Sequence, residues 1–276
     1  MGVVYNSDPD SAMPNKDRRT SIQSIDRAAA ILRALAGGPQ RLGVSELADR
    51  LGLARPTVHG LLQTLVIHGF VQQDPDSEKY QLGPGLLQLG YSFLDVNELR
   101  RRSIVHAERL AARTSQAVRV GVTHAARIFI VHHVFRPDAT LQILEVGAEL
   151  PLHASALGKA VLAFMPPAMS EEVRQAPLAR LTKHTLTAHG LRGELTRIRE
   201  TGVAAERDEA VLGESSVAAP IFDHTRQAVG AIGVVGDTDQ IFPRGMARGL
   251  APAVTEAARG ISRELGAPGW PATAAG

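Results

Sequence analysis

Apolar residues in the first third of the chain recur at helical spacing and then switch to alternation. From Ser24 to Leu35, the positions Ile25, Ala28, Ala29, Ile31, Leu32 and Leu35 line one helical face, and Gly37-Gly38-Pro39 ends the run. From Val44 to Gly69 the segment VSELADRLGLARPTVHGLLQTLVIHG reads as two short amphipathic helices around a tight turn. Leu47, Ala48 and Leu51 bury one face of the first, Gly52 lets the chain reverse, and Leu53 plugs the turn. Arg55-Pro56-Thr57 opens the second helix, where proline is tolerated because first-turn N–H groups have no intrahelical acceptor. Val58, Leu61, Leu62 and Leu65 form its buried face. Phe70–Asp74 and Glu78–Leu82 then alternate as two strands around the turn Asp74-Pro75-Asp76-Ser77. Three helices followed by a hairpin is the order of a winged helix-turn-helix. Without the hairpin, the two helices would equally suit a helical pair with no nucleic-acid role.

In the second helix the buried face leaves Arg55, Pro56, Thr57, His59, Gly60 and Gln63 outward. A recognition helix presents its N-terminal residues to the major groove, so these are the expected DNA contacts, with Lys79 from the wing.

A helical connector follows at Pro84–Val96, PGLLQLGYSFLDV, with Leu86, Leu87, Leu89, Phe93 and Leu94 on a broad apolar surface. It packs on its own chain or on a second copy. The second is preferred, because one helix-turn-helix reads too few base pairs and pairing two copies solves this. A further helix spans Asn97–Thr114. Beyond it, alternation predicts strands at Ala117–Val122, Arg127–Phe135, Thr140–Val146, Ser216–Phe222 and Ala228–Val235. Helices are expected at Ser155–Phe164, Leu191–Thr201 and Met246–Leu265. The fold class is α+β: a winged helix-turn-helix over 21–83, a linker helix over 84–97 and an α/β domain over 98–266, flanked by loose tails at 1–20 and 267–276.

Composition narrows the chemistry. The 276 residues suffice for two domains, and 44% hydrophobic content supports a sizeable core. A formal charge of +2 implies no bulk attraction to membrane or nucleic acid. Within Ser21–Leu82, Arg27, Arg33, Arg41, Arg50, Arg55 and Lys79 balance Asp26, Glu46, Asp49, Asp74, Asp76 and Glu78, so DNA binding would depend on placement rather than on net charge. Lys16, Arg18 and Arg19 could extend it. The absence of cysteine excludes disulfides, thiol nucleophiles and Cys-based zinc sites. With neither an apolar leader nor a run long enough to span a bilayer, a cytoplasmic protein with no membrane partner is expected.

The run LPLHASALGKA, from Leu150 to Ala160, opens a helix with small residues. Its N-terminal amides could hold an anion such as a carboxylate, or the small residues could simply allow close packing. A phosphate-binding P-loop is excluded by His153 and Ala160, and a serine acyl-transfer motif by Ala156, which stands three residues before Lys159 where serine is required. Glu206, Asp208 and Glu209 form an acidic cluster suited to acid–base work, or to a solvated loop. His132 and His133, adjacent in a strand, point to opposite faces and cannot easily share a metal. No metal, cofactor or catalytic residue is assigned.

Taken together, SIDRAAAILRALA, the SELADRLGL and TVHGLL helices, KYQLGPGLLQLG, LPLHASALGKAVLAF, RLTKHTLT, GELTRIRETGVA and VAAPIFDHTRQAVGAIGVVG identify the chain as resembling the IclR family of bacterial transcription regulators, from Ile22 to Leu265. The resemblance implies a homodimer or homotetramer that binds operator DNA under control of a small effector held in a GAF-like domain. It implies that Ser155, Ala156 and Leu157 supply backbone amides and Leu150 a wall, with Glu206 and Ser216 at positions where relatives often have Asp and Cys. Asp208 joins this set. Gly233 and Val235 fall where relatives with small-acid effectors can have serines, so an aromatic or otherwise more apolar carboxylate is expected here. Gly60 stands where relatives usually carry Arg, which shifts DNA reading toward Arg55, Thr57, His59 and Gln63. The rivals are an enzyme using Glu206, Asp208 and His153, and a constitutive DNA-binding protein whose second domain senses nothing.

Overall fold

The computed structural model describes residues 22–39, 41–124, 127–138, 140–166, 170, 173, 177–243 and 249–270. The expected arm at 1–20, the last six residues of the tail and the Met246 start of the final helix lie outside the described residues. The chain forms two compact units that divide between Val96 and Asn97.

The first unit contains α1 (Gln23–Ala36), α2 (Val44–Leu51), α3 (Arg55–Ile67), β1 (Val71–Gln73), β2 (Tyr80–Leu82) and α4 (Gly85–Val96). It is a winged helix-turn-helix. Gly52 caps α2 in the left-handed region at φ 64°, the conformation the reversal requires. Ile31, Leu47, Val58, Leu62 and Tyr80 meet in its core. Leu42 ties the chain before α2 to Tyr80 by a reciprocal backbone pair, which fixes the hairpin against the helices.

The second unit contains α5 (Glu98–Thr114), β3 (Ala117–His124), β4 (Arg127–Val134), β5 (Glu149–Leu150), α6 (Ala156–Leu162), α7 (Ala188–Thr201), β6 (Ala204–Arg207), β7 (Glu214–Phe222), β8 (Ala228–Asp237), α8 (Thr238–Ile241) and α9 (Leu250–Glu264). The strands make one antiparallel sheet in the order β5-β4-β3-β8-β7-β6. Two would-be Cβ atoms identify its faces. One built on Gly121 would lie 3.2 Å from Leu157 on α6, and one on Gly230 would lie 2.8 Å from Leu99 on α5. Among the described residues, no helix is long and apolar enough to cross a membrane.

One expected strand is absent. Thr140–Val146 runs outside the sheet, and the chain rejoins β4 only at Gly147 and Ala148, which bond to Ile130. Its apolar residues have no surface to cover, for Leu141, Ile143 and Leu144 are all exposed, and alternation without burial does not make a strand. The acidic cluster is not one solvated loop: Glu206 lies within β6 and is buried.

Candidate functional site

The candidate DNA-contact surface is built on α3. Its N-cap, Ala54, is extended and offers no side-chain acceptor, and Pro56 occupies the first turn. Arg55, Pro56, His59, Gly60 and Gln63 are exposed and Thr57 is half-buried. Arg55 has no acidic partner among the described residues. A Cβ on Gly60 would meet nothing within 4 Å, so the surface has a gap there. Gln63 Nε2 donates to the Tyr80 hydroxyl at 3.4 Å and thereby borders the wing. The cation of the wing and the one beside it, before α2, are already engaged. Lys79 Nζ lies 3.1 Å from Glu46 on α2, and Arg41 lies 2.8 Å from Asp74 while its Nε donates to Gln81. Glu46 also accepts from the Gly43 amide at 2.6 Å, and that bond, with Lys79, holds its carboxyl below the usual range.

The expected effector residues gather on the α6 face of the six-stranded sheet. Glu206, Ser216, Val235 and Ala117 are paired across four adjacent strands and form one row. The next row is Ala204, Ala218, Gly233, Arg119 and His133. Above them, Ser155 caps α6: its Oγ accepts from Gly158 N at 3.0 Å and donates to Pro151 O at 2.7 Å. Ala156 and Leu157 are buried, and Leu150 pairs with Ile128 at the sheet edge. Gly158 permits the close approach, since a Cβ there would come within 2.5 Å of Leu152 Cα.

Glu206 accepts from Ser216 Oγ at 2.9 Å and from Glu209 N at 2.7 Å. Burial still pushes its carboxyl up to about 7, despite these donors and nearby Lys159. Asp208 points elsewhere. Its Oδ1 accepts from Gly213 N and from Thr238 Oγ1, both at 2.7 Å, so it shapes the β6–β7 loop. Burial would raise it, but those two donors hold it below the usual range.

Two buried cations complete the site, and neither was marked as functional by the sequence. Lys159 is fully buried, with Nζ 2.6 Å from Glu209 and 3.9 Å from Glu194. The second oxygen of Glu209, Oε2, is buried without a partner. Arg119 is also buried. Its guanidinium bonds to Glu145 through Nε and Nη2 and to Glu214 through Nη1 at 2.9 Å and Nη2 at 3.1 Å. The sequence signal for Lys159 was a lysine in a helix otherwise made of small and apolar residues, which demands a buried carboxylate.

The histidines do not converge. His132 faces α5, with Arg100 and Glu108 nearby, whereas Nδ1 of His133 accepts from Glu145 N and His153 bonds to Ala179 O at 2.9 Å. Burial and Arg119 lower His133 to about 4. Among the described residues, no group of three potential ligands could hold a metal. A cavity of about 1130 Å³ opens on the opposite face of the sheet, against α5 and α9, where Arg109, Arg113, Arg259 and Arg263 line it.

Comparison with known proteins covers both units. The model for the IclR helix-turn-helix domain matches residues 24–75, and that for the bacterial transcriptional regulator IclR C-terminal domain matches 91–263. The chain is 49% identical over 249 residues to a glycerol operon regulatory protein of Streptomyces griseus, covering 90% of this chain and 98% of that one. It is 46% identical over 248 residues to the glycerol operon regulatory protein of Streptomyces coelicolor, with the same coverage. The crystal structure of an IclR transcriptional regulator from Alicyclobacillus acidocaldarius superposes with a TM-score of 0.77 at 26% identity, covering 88% of this chain and 98% of that one.

Proposed function

The chain belongs to the IclR family of bacterial transcriptional regulators, and from that premise we propose that it controls an operon for glycerol use in response to a small hydroxylated effector. The observation that carries this reading is the near-complete match to the two Streptomyces glycerol operon regulatory proteins. The site chemistry supports it. Glu206, Ser216 and the unpartnered Glu209 Oε2 offer hydroxyl-binding acceptors, and Ala156 and Leu157 give a close apolar lid. An aromatic or apolar carboxylate is the second reading. The missing side chain at Gly233 favours it, but it leaves Glu209 Oε2 without a donor.

In this proposal α3 reads operator DNA through Arg55, Thr57, His59 and Gln63, with Pro56, Gly60 and Lys79 at the contact. Two copies pair through α4, where Leu87, Leu89, Tyr91 and Phe93 are each more than half exposed. The paired copies form a dimer or a tetramer in the cytoplasm, with residues 84–97 as the relay, and the protein catalyses nothing. The effector acts by linkage: it shifts DNA affinity only by its unequal affinity for two arrangements of the assembly.

The test is fluorescence anisotropy of the full chain on DNA from upstream of the glycerol-use genes of its own genome, with glycerol and its phosphate ester added in turn. Tight, sequence-dependent binding that either compound shifts is the expected result. Binding no tighter than to a scrambled duplex would refute the reading.

A further inference from the structure

We propose that Arg119 anchors the effector and that it takes a phosphate monoester on a small polyol, whose anion replaces the Glu145 carboxylate. The proposal rests on reading this domain as a polyol sensor and adds what that reading lacks, a cation for the ligand.

Position is the first argument. Arg119 pairs with Gly233, whereas its acceptor Glu214 pairs with Asp237, two rows further along the same face. The guanidinium therefore spans the intervening row of Glu206, Ser216 and Val235. It lies along the wall on which the expected effector residues stand, and Gly233 offers no side chain in its way.

The second argument is the inequality of the partners. The Arg119 side chain is 8% exposed, so it cannot leave for solvent, whereas Glu145 and Glu214 are 30% and 35% exposed. Glu145 belongs to the segment that failed to become a strand, beside the exposed Leu141, Ile143 and Leu144. Its backbone is held separately, by the Ala148 amide on its carbonyl at 2.9 Å and by its own amide on His133 at 3.3 Å, so its side chain can leave without moving the chain. A fixed guanidinium thus faces an exchangeable carboxylate.

The third argument is charge and geometry. Glu145 engages Nε and Nη2 together, the bidentate edge that phosphate also matches. A phosphate monoester brings its own anion to the guanidinium, so exchange leaves Arg119 paired where removal of Glu145 alone would not. The ligand's hydroxyls would then meet Ser216, Glu206 and Glu209.

Calorimetric titration of the full chain with sn-glycerol 3-phosphate, glycerol, glycerate and inorganic phosphate tests this. We expect the ester to bind at least about tenfold tighter than glycerol, a gap in the range of one charge-assisted contact. Arg119→Gln should remove that advantage, so that the ester binds no tighter than glycerol to the same variant. Glu145→Gln keeps Arg119 and weakens its competitor, so the ester should bind about three- to tenfold tighter. Should Arg119→Gln not fold, this second variant decides alone. Equal binding of ester and glycerol, or no gain in Glu145→Gln, overturns the proposal and leaves polyol sensing intact. Glycerate matching the ester overturns the phosphate assignment. If none of the four binds, polyol sensing itself falls, and this inference with it.

Discussion

The two units differ in where they keep their polar chemistry. Every buried polar or charged side chain among the described residues, from Ser103 to Ser262, belongs to the second unit. The first unit has an all-apolar core apart from the Tyr80 hydroxyl, and it displays its candidate contacts on the outside of α3. A surface that meets a hydrated polyanion needs exposed donors. A site that must enclose a small polar molecule needs donors and acceptors inside, and these are stable only when paired. The contrast predicts that substitutions in the two units fail in different ways.

The largest effect should come from breaking a buried pair. Lys159→Met strips Glu209 of its partner inside the second unit and should cost about 3–5 kcal/mol of that unit's stability, measured by urea unfolding. Replacing Glu209 by Leu in the same chain should recover much of the loss, because two apolar groups leave no charge behind. If Lys159→Met unfolds like the wild type, the pair contributes no stability and the contrast between the units is weaker than drawn.

A smaller effect follows from Glu206. Its folded-state value of about 7 lies above its usual 4.5, so the folded protein holds this proton more tightly than the unfolded chain. Its contribution to stability is complete below the usual value and is lost as pH rises through about 7. The loss amounts to about 3 kcal/mol as an order of magnitude. His133 has the opposite sign: lowered to about 4, it makes the protein gain stability as pH rises from about 4 through its usual 6.5. The two slopes partly cancel, so the measurement is the difference between wild type and Glu206→Gln across pH 4.5 to 7.5. The gap should change steadily over that window. A constant gap would place Glu206 among ordinary carboxylates.

The smallest changes in stability should come from α3, together with clear changes in DNA binding. Arg55→Ala should shift stability by no more than about 0.5 kcal/mol. If Arg55 holds a phosphate, it should also reduce the slope of log affinity against log salt by about 1. Gly60→Arg fills open space and should tighten binding, helped by removal of a mid-helix glycine that is worth about 1 kcal/mol. Binding weakened by Gly60→Arg would mean that α3 approaches DNA too closely at that point for any side chain.

How much was legible in the sequence follows the same division. The helix-turn-helix and wing were readable because their core is local and periodic, with Leu47, Val58 and Leu62 declaring their faces within a few turns. The row of Glu206 and Ser216 came from resemblance rather than from spacing. Arg119 and Lys159 escaped because their partners are remote: Glu145 is 26 positions from Arg119, Glu214 is 95, and Glu209 is 50 positions from Lys159. No window on the sequence joins them, and only the order of the sheet brings them together. The Thr140–Val146 strand was misread because alternation reports which residues could share a face, not whether a face is there to cover.

The paired wing has a consequence for how the protein finds its target. Its cation Lys79 is held by Glu46, the neighbouring Arg41 is held by Asp74, and Ser21–Leu82 carries as many acids as bases. Random duplex therefore gains little by releasing counterions to it, and the millions of wrong sites in a chromosome act as a weak sink. Fewer copies should therefore be held at wrong sites than for a strongly basic reader. A cell can then keep few of them and still have one free when the operator falls vacant.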